Sequence, residues 1–321
     1  MPHATVVVAE SGPATADPIL KPVRPFLKWA GGKRQLLPQL RRFIPEKFGT
    51  YHEPFVGSGA LFFDMWGRSL LSERAVRLVD TNADLIGCYR ALVRDVDGVV
   101  RHLTLLARRH AKHPAEHYYR VRDELFNPKR LARIDVDGDY PTELAAMFIY
   151  LNRTGFNGLY RLNSRGSFNV PAGRYTNPQI CDASNLKAAA HALGSRGVEL
   201  VHGTYLSVLD VARGGDFVYL DPPYAPLSTT SHFTAYTAGG FSDDDQRRLQ
   251  QVILELADRG CHVVLSNSTA PIISELYETN RTPKRAGLRA YKVPAKRAIN
   301  SDPTRRGDVM EFIITNVSPA A

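Results

Sequence analysis

A chain of 321 residues with 44% hydrophobic content can bury a substantial core, and its +9 formal charge (41 Lys+Arg against 32 Asp+Glu) suits a basic protein or one with a polyanionic partner. Its three cysteines, Cys88, Cys181 and Cys261, are scattered and odd in number, which excludes a disulfide framework or a CxxC knuckle and points to a reducing, cytoplasmic home. No run approaches transmembrane length, and the first residues lack a basic region ahead of an apolar one, so neither membrane association nor a signal peptide is expected.

Residues 1–22, rich in small residues and Pro, read as a flexible tail. "PFLKWAGGKRQLLPQL" (25–40) places a Gly-Gly turn between Trp29 and Lys33 ahead of a helix. It lacks the early glycine and the hydroxyl of a nucleotide-binding P-loop, which disfavours NTP. Taken alone it is a helix start with a solvated lysine. "YHEPFVGSGAL" (51–61) follows an apparent strand with a G-x-G turn, Gly57 and Gly59, that lets backbone approach a ligand. The third glycine of a dinucleotide fingerprint would fall at Phe62, so no pyrophosphate grip is indicated. The strand "VRLVD" (76–80) closes on Asp80, 21 residues beyond Gly59, where an acid would take ribose hydroxyls or, equally, cap the helix beginning at "TNADL". The three features suggest a nucleoside-like cofactor without a required pyrophosphate, as S-adenosylmethionine would be.

From about 95 to 195 the strand-and-helix alternation stops. Val96, Val99, Leu103 and Leu106 fall at helical spacing, and "NPKR" and "DVDGDYP" lead into "NRTGFNGLYRLNSRGSFNVPAGRY" (152–175), which is too aromatic for a linker and too polar for a core. Residues 101–175 hold 13 Lys+Arg against 7 Asp+Glu, so this region carries most of the net charge and is expected to face nucleic acid. His110, His113 and His117 invite a metal assignment, but Pro114 breaks the helix that would align them, and they are expected to be solvated.

The runs "VELVHG" (198–203), "DFVYL" (216–220) and "CHVVLSN" (261–267), with "VRLVD", read as buried parallel strands of an α/β sheet. Between the last two, Ser242, three aspartates and Leu249, Val252, Ile253 and Leu256 predict a crossover helix stopped by Gly260. "VYLDPPYAP" (218–226) leaves its strand through Asp221-Pro222-Pro223-Tyr224. Two prolines make this exit rigid, at the strand end where open α/β sheets place ligands. An exocyclic amine suits the set: its lone pair is delocalised into a ring, and acceptors on both N–H bonds, the Asp221 carboxylate and the Pro222 carbonyl, would localise it toward an electrophile. Tyr224 can stack on a base swung out of its helix. The rival reading is a strand-ending turn whose aspartate caps a neighbour. No G-x-S-x-G or H-E-x-x-H occurs and no metal is expected.

"FLKWAGGKRQLL", "EPFVGSGAL", "DTNADL", "NRTGFNGLYRLNSRGSFNVPAGRY" and "DPPYAPLSTTSHFTAYT" occur in the order that resembles the Dam-type (class D12) DNA N6-adenine methyltransferases, over about residues 24–314. The resemblance implies a Rossmann-like S-adenosylmethionine-dependent methyltransferase core (23–94 and 196–321) with an inserted, mainly helical target-recognition domain (95–195). It implies transfer to N6 of adenine in double-stranded DNA, with GATC as the site. By the same resemblance Trp29, Lys33, Phe55, Val56, Gly57, Gly59, Asp80, Tyr205 and Asp221 would contact the cofactor. Asp221, Pro222, Pro223 and Tyr224 would carry the chemistry. Arg161 would read a guanine, Leu159 and Pro171 would touch neighbouring bases, and Phe156 and Asn157 would fill the gap left by the flipped adenine. Arg153, Arg165 and Arg174 would meet phosphates or base edges. Phe156 stands where relatives often carry Tyr, and Thr176 where a lysine is common. The resemblance admits a cognate restriction endonuclease as partner. The alternatives are a methyltransferase for another nucleobase or a protein amide, toward which an N-P-P-Y turn would lean, and a catalytically silent, sequence-specific DNA-binding protein.

Overall fold

The computed structural model describes residues 23–29, 33–133, 138–227, 241–296 and 308–320. The expected tail (1–22), the Gly31-Gly32 turn and "STTSHFTAYT" (228–237) lie outside the described residues.

Among the described residues seven strands form one sheet, in the order β3-β2-β1-β4-β5-β7-β6. They are β1 (Tyr51–Glu53), β2 (Val76–Asp80), β3 (Val198–His202), β4 (Phe217–Leu220), β5 (His262–Ser268), β6 (Arg289–Lys296) and β7 (Asp308–Thr315). The first five run parallel, and β7 is antiparallel to both β5 and β6. The central strands β1 and β4 are buried throughout: β4 is an unbroken apolar and aromatic run, and β1 buries His52 against Asp216 and Glu53 against the Tyr51 hydroxyl. The expectation that 198–203 is a buried strand needs correction. β3 pairs correctly with β2 but is the edge of the sheet, has no buried residue, and exposes Glu199 to an ion pair with Arg77. A Val/Leu run looks the same whether one or both of its sides are covered. Strands β6 and β7 were not among the strands expected from sequence; β6 closes the other edge, where Pro294 costs no internal ladder bond.

Among the described residues the α-helices, in chain order, are α1 (Leu37–Leu40), α2 (Ala60–Gly67), α3 (Ala83–Arg94), α4 (Val96–His110), α5 (Pro114–Tyr119), α6 (Asn127–Leu131), α7 (Thr142–Thr154), α8 (Ala183–Leu193), α9 (Val208–Val211), α10 (Asp243–Asp258), α11 (Pro271–Ile273) and α12 (Arg281–Arg285). The predicted crossover helix is α10. The Ser242 hydroxyl accepts from the Asp245 N–H at 3.2 Å, and the Asp245 carboxylate accepts from the Ser242 N–H at 2.8 Å, a reciprocal cap worth about 1 kcal/mol. Leu249, Val252, Ile253 and Leu256 are buried against the sheet, and Gly260 turns the chain at φ +82°.

Between α3 and β3 lie α4 to α8. Helix α7, buried from Leu144 to Asn152, packs against α3 and α4, and α8 packs against α2, α3 and α4. One apolar core runs from the sheet into these helices. Pro114 ends α4 as predicted and opens α5, but two of the three nearby histidines are not solvated. His110 and His117 are 9% and 6% exposed and pack edge-on against Tyr150, whose hydroxyl lies 2.9 Å from His110 Nδ1; only His113 is exposed. Broken helical phase removes a metal face, yet it does not keep an imbedded ring in water. Among the described residues no group of three or more His, Cys, Asp or Glu could hold a metal ion, and no helix is long and apolar enough to cross a membrane.

Candidate active site and nucleic-acid interface

Strand order reverses between β1 and β4, since β2 and β3 lie on one side and β5 on the other. That is the switch point where open α/β sheets form a crevice at the strands' carboxyl ends. The ends of these two strands carry Phe55–Gly59 and Asp221–Tyr224.

Beyond β1, Gly57 has φ +47° and Gly59 has φ +67°, a left-handed pair that side chains would strain. A Cβ on Gly57 would come within 2.9 Å of the Trp29 ring, so the glycine is also required by close packing. The Gly57 N–H donates to Asp80 at 3.0 Å, and the Gly57 carbonyl accepts from the Tyr89 hydroxyl at 2.6 Å. Asp80 also accepts from the Asn82 N–H at 2.9 Å. It does not cap the next helix: the Asn82 side chain does, accepting from Leu85. The Thr81 N–H also lies against this carboxylate, and with about four lone-pair sites it keeps one acceptor position over. Burial pushes this carboxyl's pKa up. Val56 is buried below the turn, while Phe55 stacks on Tyr205 at 5.1 Å with Phe241 edge-on to Phe55 at 6.0 Å. An aromatic wall, a glycine turn without room for Cβ atoms and an acid with spare acceptor capacity fit the adenosine part of S-adenosylmethionine. An acid at this position suits ribose hydroxyls and repels phosphate.

Beyond β4, the two prolines donate no N–H, so the Asp221–Tyr224 turn is held from outside. Gln246 of α10 donates to the Pro223 carbonyl at 3.0 Å. Asn267 of β5 accepts from the Ala225 N–H at 3.2 Å and donates to Gln246 at 3.0 Å, and the Ser268 hydroxyl donates to the Ala225 carbonyl at 2.6 Å. All three side chains are buried and bonded to the turn, and Gln246 and Asn267 also to each other, so removing one strands its partners. Asp221 Oδ1 is buried and lies 2.8 Å from Lys33 Nζ, a charged contact that leaves the carboxylate further lone pairs through which to accept. The same ammonium sits 4.1 Å from the Tyr224 ring centroid. Burial outweighs Lys33 and pushes the Asp221 pKa up to about 6, so at neutral pH it is still largely ionised. Glu53, at the end of β1, accepts from the Tyr51 hydroxyl at 2.8 Å, and burial pushes it up to about 8. It is mostly protonated at neutral pH and adds no second anion beside Asp221.

Of the segment 152–175, the first three residues end α7 and the rest folds as a hairpin after it. Gly155 bridges Ala172 and Leu162 bridges Phe168, while the Asn163 side chain closes the tip by accepting from the N–H groups of Arg165 and Ser167, each at 3.0 Å. Its inner side is tied down. Asn127 exchanges bonds with Phe168 at 3.0 and 2.8 Å, and the Tyr118 hydroxyl donates to the Val170 carbonyl at 2.9 Å. The Tyr160 hydroxyl donates to the buried Asp84 at 2.5 Å, where Arg130 also pairs. The outer side presents Phe156 (47% exposed), Arg161, Arg165, Pro171 and Arg174, with Leu159 and Asn157 half-buried. Asn157 itself adopts φ +53°, a left-handed conformation that asparagine tolerates. Arg161 Nε donates to the Asn169 side chain at 2.8 Å, which aims the guanidinium; Arg153 instead reaches the Gln179 carbonyl at 2.8 Å.

Lys28, Trp29 and Lys33 link the turn and the hairpin. The Lys28 ammonium lies 3.7 Å over Tyr175 and donates to the Arg153 carbonyl at 3.2 Å; Trp29 stacks on Tyr160 at 6.2 Å while touching the Gly57 turn; Lys33 reaches Asp221. Lys28, Tyr175, Asn169, Gln246, Asn267 and Glu311 were not singled out from sequence. Lys28, Asn169 and Tyr175 sit inside quoted motifs and could have been found by asking which neighbours hold Trp29, Arg161 and Lys28. The remaining contacts depend on sheet order.

The model of the D12 class N6 adenine-specific DNA methyltransferase family matches residues 29–297. The type II methyltransferase M1.LlaDCHI of Lactococcus lactis subsp. cremoris is 40% identical over 294 residues, which cover 92% of this chain and 95% of that protein. The type II methyltransferase M.MjaIII of Methanocaldococcus jannaschii is 39% identical over 305 residues, covering 92% and 99%. The DNA adenine methylase of Escherichia coli (strain K12) is 36% identical over 299 residues, covering 92% and 95%.

Proposed function

The chain belongs to the D12 class of N6 adenine-specific DNA methyltransferases, and from that premise we propose that it methylates the adenine of GATC in duplex DNA with S-adenosylmethionine as donor. The observation that carries this reading is the Asp221 carboxylate, ion-paired with Lys33 at the switch point, between a glycine turn suited to a nucleoside and an arginine-bearing hairpin suited to DNA. Residues 95–195 then act as the target-recognition domain and 23–94 with 196–321 as the catalytic domain.

S-adenosylmethionine supplies a methyl group made electrophilic by its sulfonium. Phe55, Val56, Gly57, Gly59 and Tyr205 form its wall, Asp80 takes its ribose, and Trp29, Lys33 and Asp221 border its reactive end. Asp221 and the Pro222 carbonyl accept from the target amine and localise its lone pair. Little basicity is required, because the nitrogen becomes acidic only once it carries the new methyl group; the proton then passes to Asp221 or to water. Pulling adenine from the duplex costs a few kcal/mol, which stacking on Tyr224 and insertion of Phe156 and Asn157 offset. Lys33 occupies one face of Tyr224, so the base stacks on the other. Arg161 reads guanine through two parallel hydrogen bonds, Leu159 and Pro171 pack on neighbouring bases, and Arg153, Arg165 and Arg174 hold the backbone.

The test is transfer from labelled S-adenosylmethionine to duplexes carrying GATC, one-base variants, or fully N6-methylated GATC. Label confined to unmethylated GATC is expected. Equal labelling of every adenine-containing duplex would remove the site assignment, and no labelling would remove the donor. The type II names of two relatives favour a protective role beside an endonuclease, in the cytoplasm. Survival of DNA exposed to a GATC-cutting nuclease after treatment with the enzyme would accord with it.

A further inference from the structure

Tyr224 is fixed from two directions, and the second comes from a strand with no motif. Lys33 sits over the ring, while the Tyr224 hydroxyl donates to Glu311 Oε2 at 2.9 Å, a neutral donor on a carboxylate and so a strong bond. Glu311 lies on β7, opposite Ser268 of β5. Paired cross-strand residues project from one face. This face therefore holds the catalytic turn at two successive residues: Ser268 takes the Ala225 carbonyl, and Glu311 takes the Tyr224 side chain. The prolines stiffen the backbone, but they do not fix the far end of a tyrosine ring.

We propose that Glu311 is a positioning residue for methyl transfer, anchoring the hydroxyl end of Tyr224 so that the ring presents a fixed platform to the extruded adenine. The role rests on the reading of Tyr224 as the stacking residue. It explains why an acid occupies β7 beside a turn that already contains a carboxylate. Without the anchor the ring can tilt on its Cα–Cβ bond, and part of the stacking that offsets extrusion is lost.

The test uses the full chain with S-adenosylhomocysteine and a duplex in which 2-aminopurine replaces the target adenine, whose fluorescence rises on unstacking. Melting temperatures control for folding, and single-turnover transfer is measured on the natural duplex. Glu311→Ala should cut the fluorescence rise and slow transfer about tenfold, with the DNA Kd changed by less than about threefold. Glu311→Gln, which keeps an acceptor, should retain most of both signals. In a Tyr224→Phe background, where the hydroxyl is gone, Glu311→Ala should add less than about twofold. Full additivity in that background, a wild-type signal from Glu311→Ala, or a Glu311→Gln defect as deep as that of Glu311→Ala would each overturn the role. Absence of any fluorescence rise with the wild-type chain would instead sink the flipping reading, and the Glu311 role with it.

Discussion

The proposed catalytic turn and the proposed reading hairpin are anchored differently. Asp221–Tyr224 carries two prolines and is held along its length by side chains from α10, β5 and β7 and by Lys33, all distant in sequence. The hairpin is tied to Asn127, Tyr118 and Asp84 along its inner side only; its tip closes on itself through Asn163, Asn169 braces Arg161, and its outward side chains are exposed. A site that must place one nitrogen against one electrophile needs a platform that does not yield. A surface that follows a groove needs side chains that can adjust. Chemistry and site choice should therefore fail separately.

The sharpest break of this contrast is Asp221→Ala, which should lower single-turnover transfer by at least about 10²–10³-fold, with DNA affinity changed by less than about threefold. An active variant would show that the turn is not the chemical centre. Next comes the support. Asn267→Ala strands Gln246 and the Ala225 N–H, and is expected to cost about 1–3 kcal/mol of stability by urea denaturation and to slow transfer without altering site preference. Comparable losses from Asn163→Ala would erase the distinction between a remotely held turn and a locally closed hairpin.

Acidity offers a third probe. Asp221 must be ionised to accept, and its pKa is held near 6 by burial against Lys33, so the rate should fall as pH drops through about 6. Lys33 favours the carboxylate; Lys33→Met removes that charge, and the acid limb should move to higher pH. A limb that stays in place would detach Lys33 from the carboxylate.

Arg161→Ala should reduce discrimination at one base pair by about 1–3 kcal/mol, read as the ratio of transfer rates on GATC and its one-base variants, with melting unchanged. Arg174→Ala is the mildest change. It should lower the salt slope of DNA binding by about one and leave the preferred site intact.

Sequence legibility divides along the same line. Gly57, Gly59, Asp80 and the D-P-P-Y turn were readable because local chemistry forces them: left-handed backbone, an acid at a strand end, a rigid exit from a buried strand. The capping box at Ser242 and the break at Pro114 were readable for the same reason. Lys33 was ambiguous, since only the fold brings it to Asp221, and Glu311, Gln246 and Asn267 carry no local signal at all. The edge position of β3 and the burial of His110 and His117 also depend on what covers a segment, which periodicity does not record. Arg161 was reachable only by resemblance; the hairpin that pairs it with Asn169 has just two bridges and no strand period.

The central claim is that one chain joins a GATC-reading hairpin to an adenine-methylating turn. It is tested most directly by mapping N6-methyladenine, base by base, in plasmid DNA propagated with the wild-type chain in a host that lacks adenine methylation. The account predicts modification at GATC alone, absent with Asp221→Ala and spread to one-base variants with Arg161→Ala. Modification at an unrelated motif, with a pattern that Arg161→Ala leaves unchanged, would contradict it.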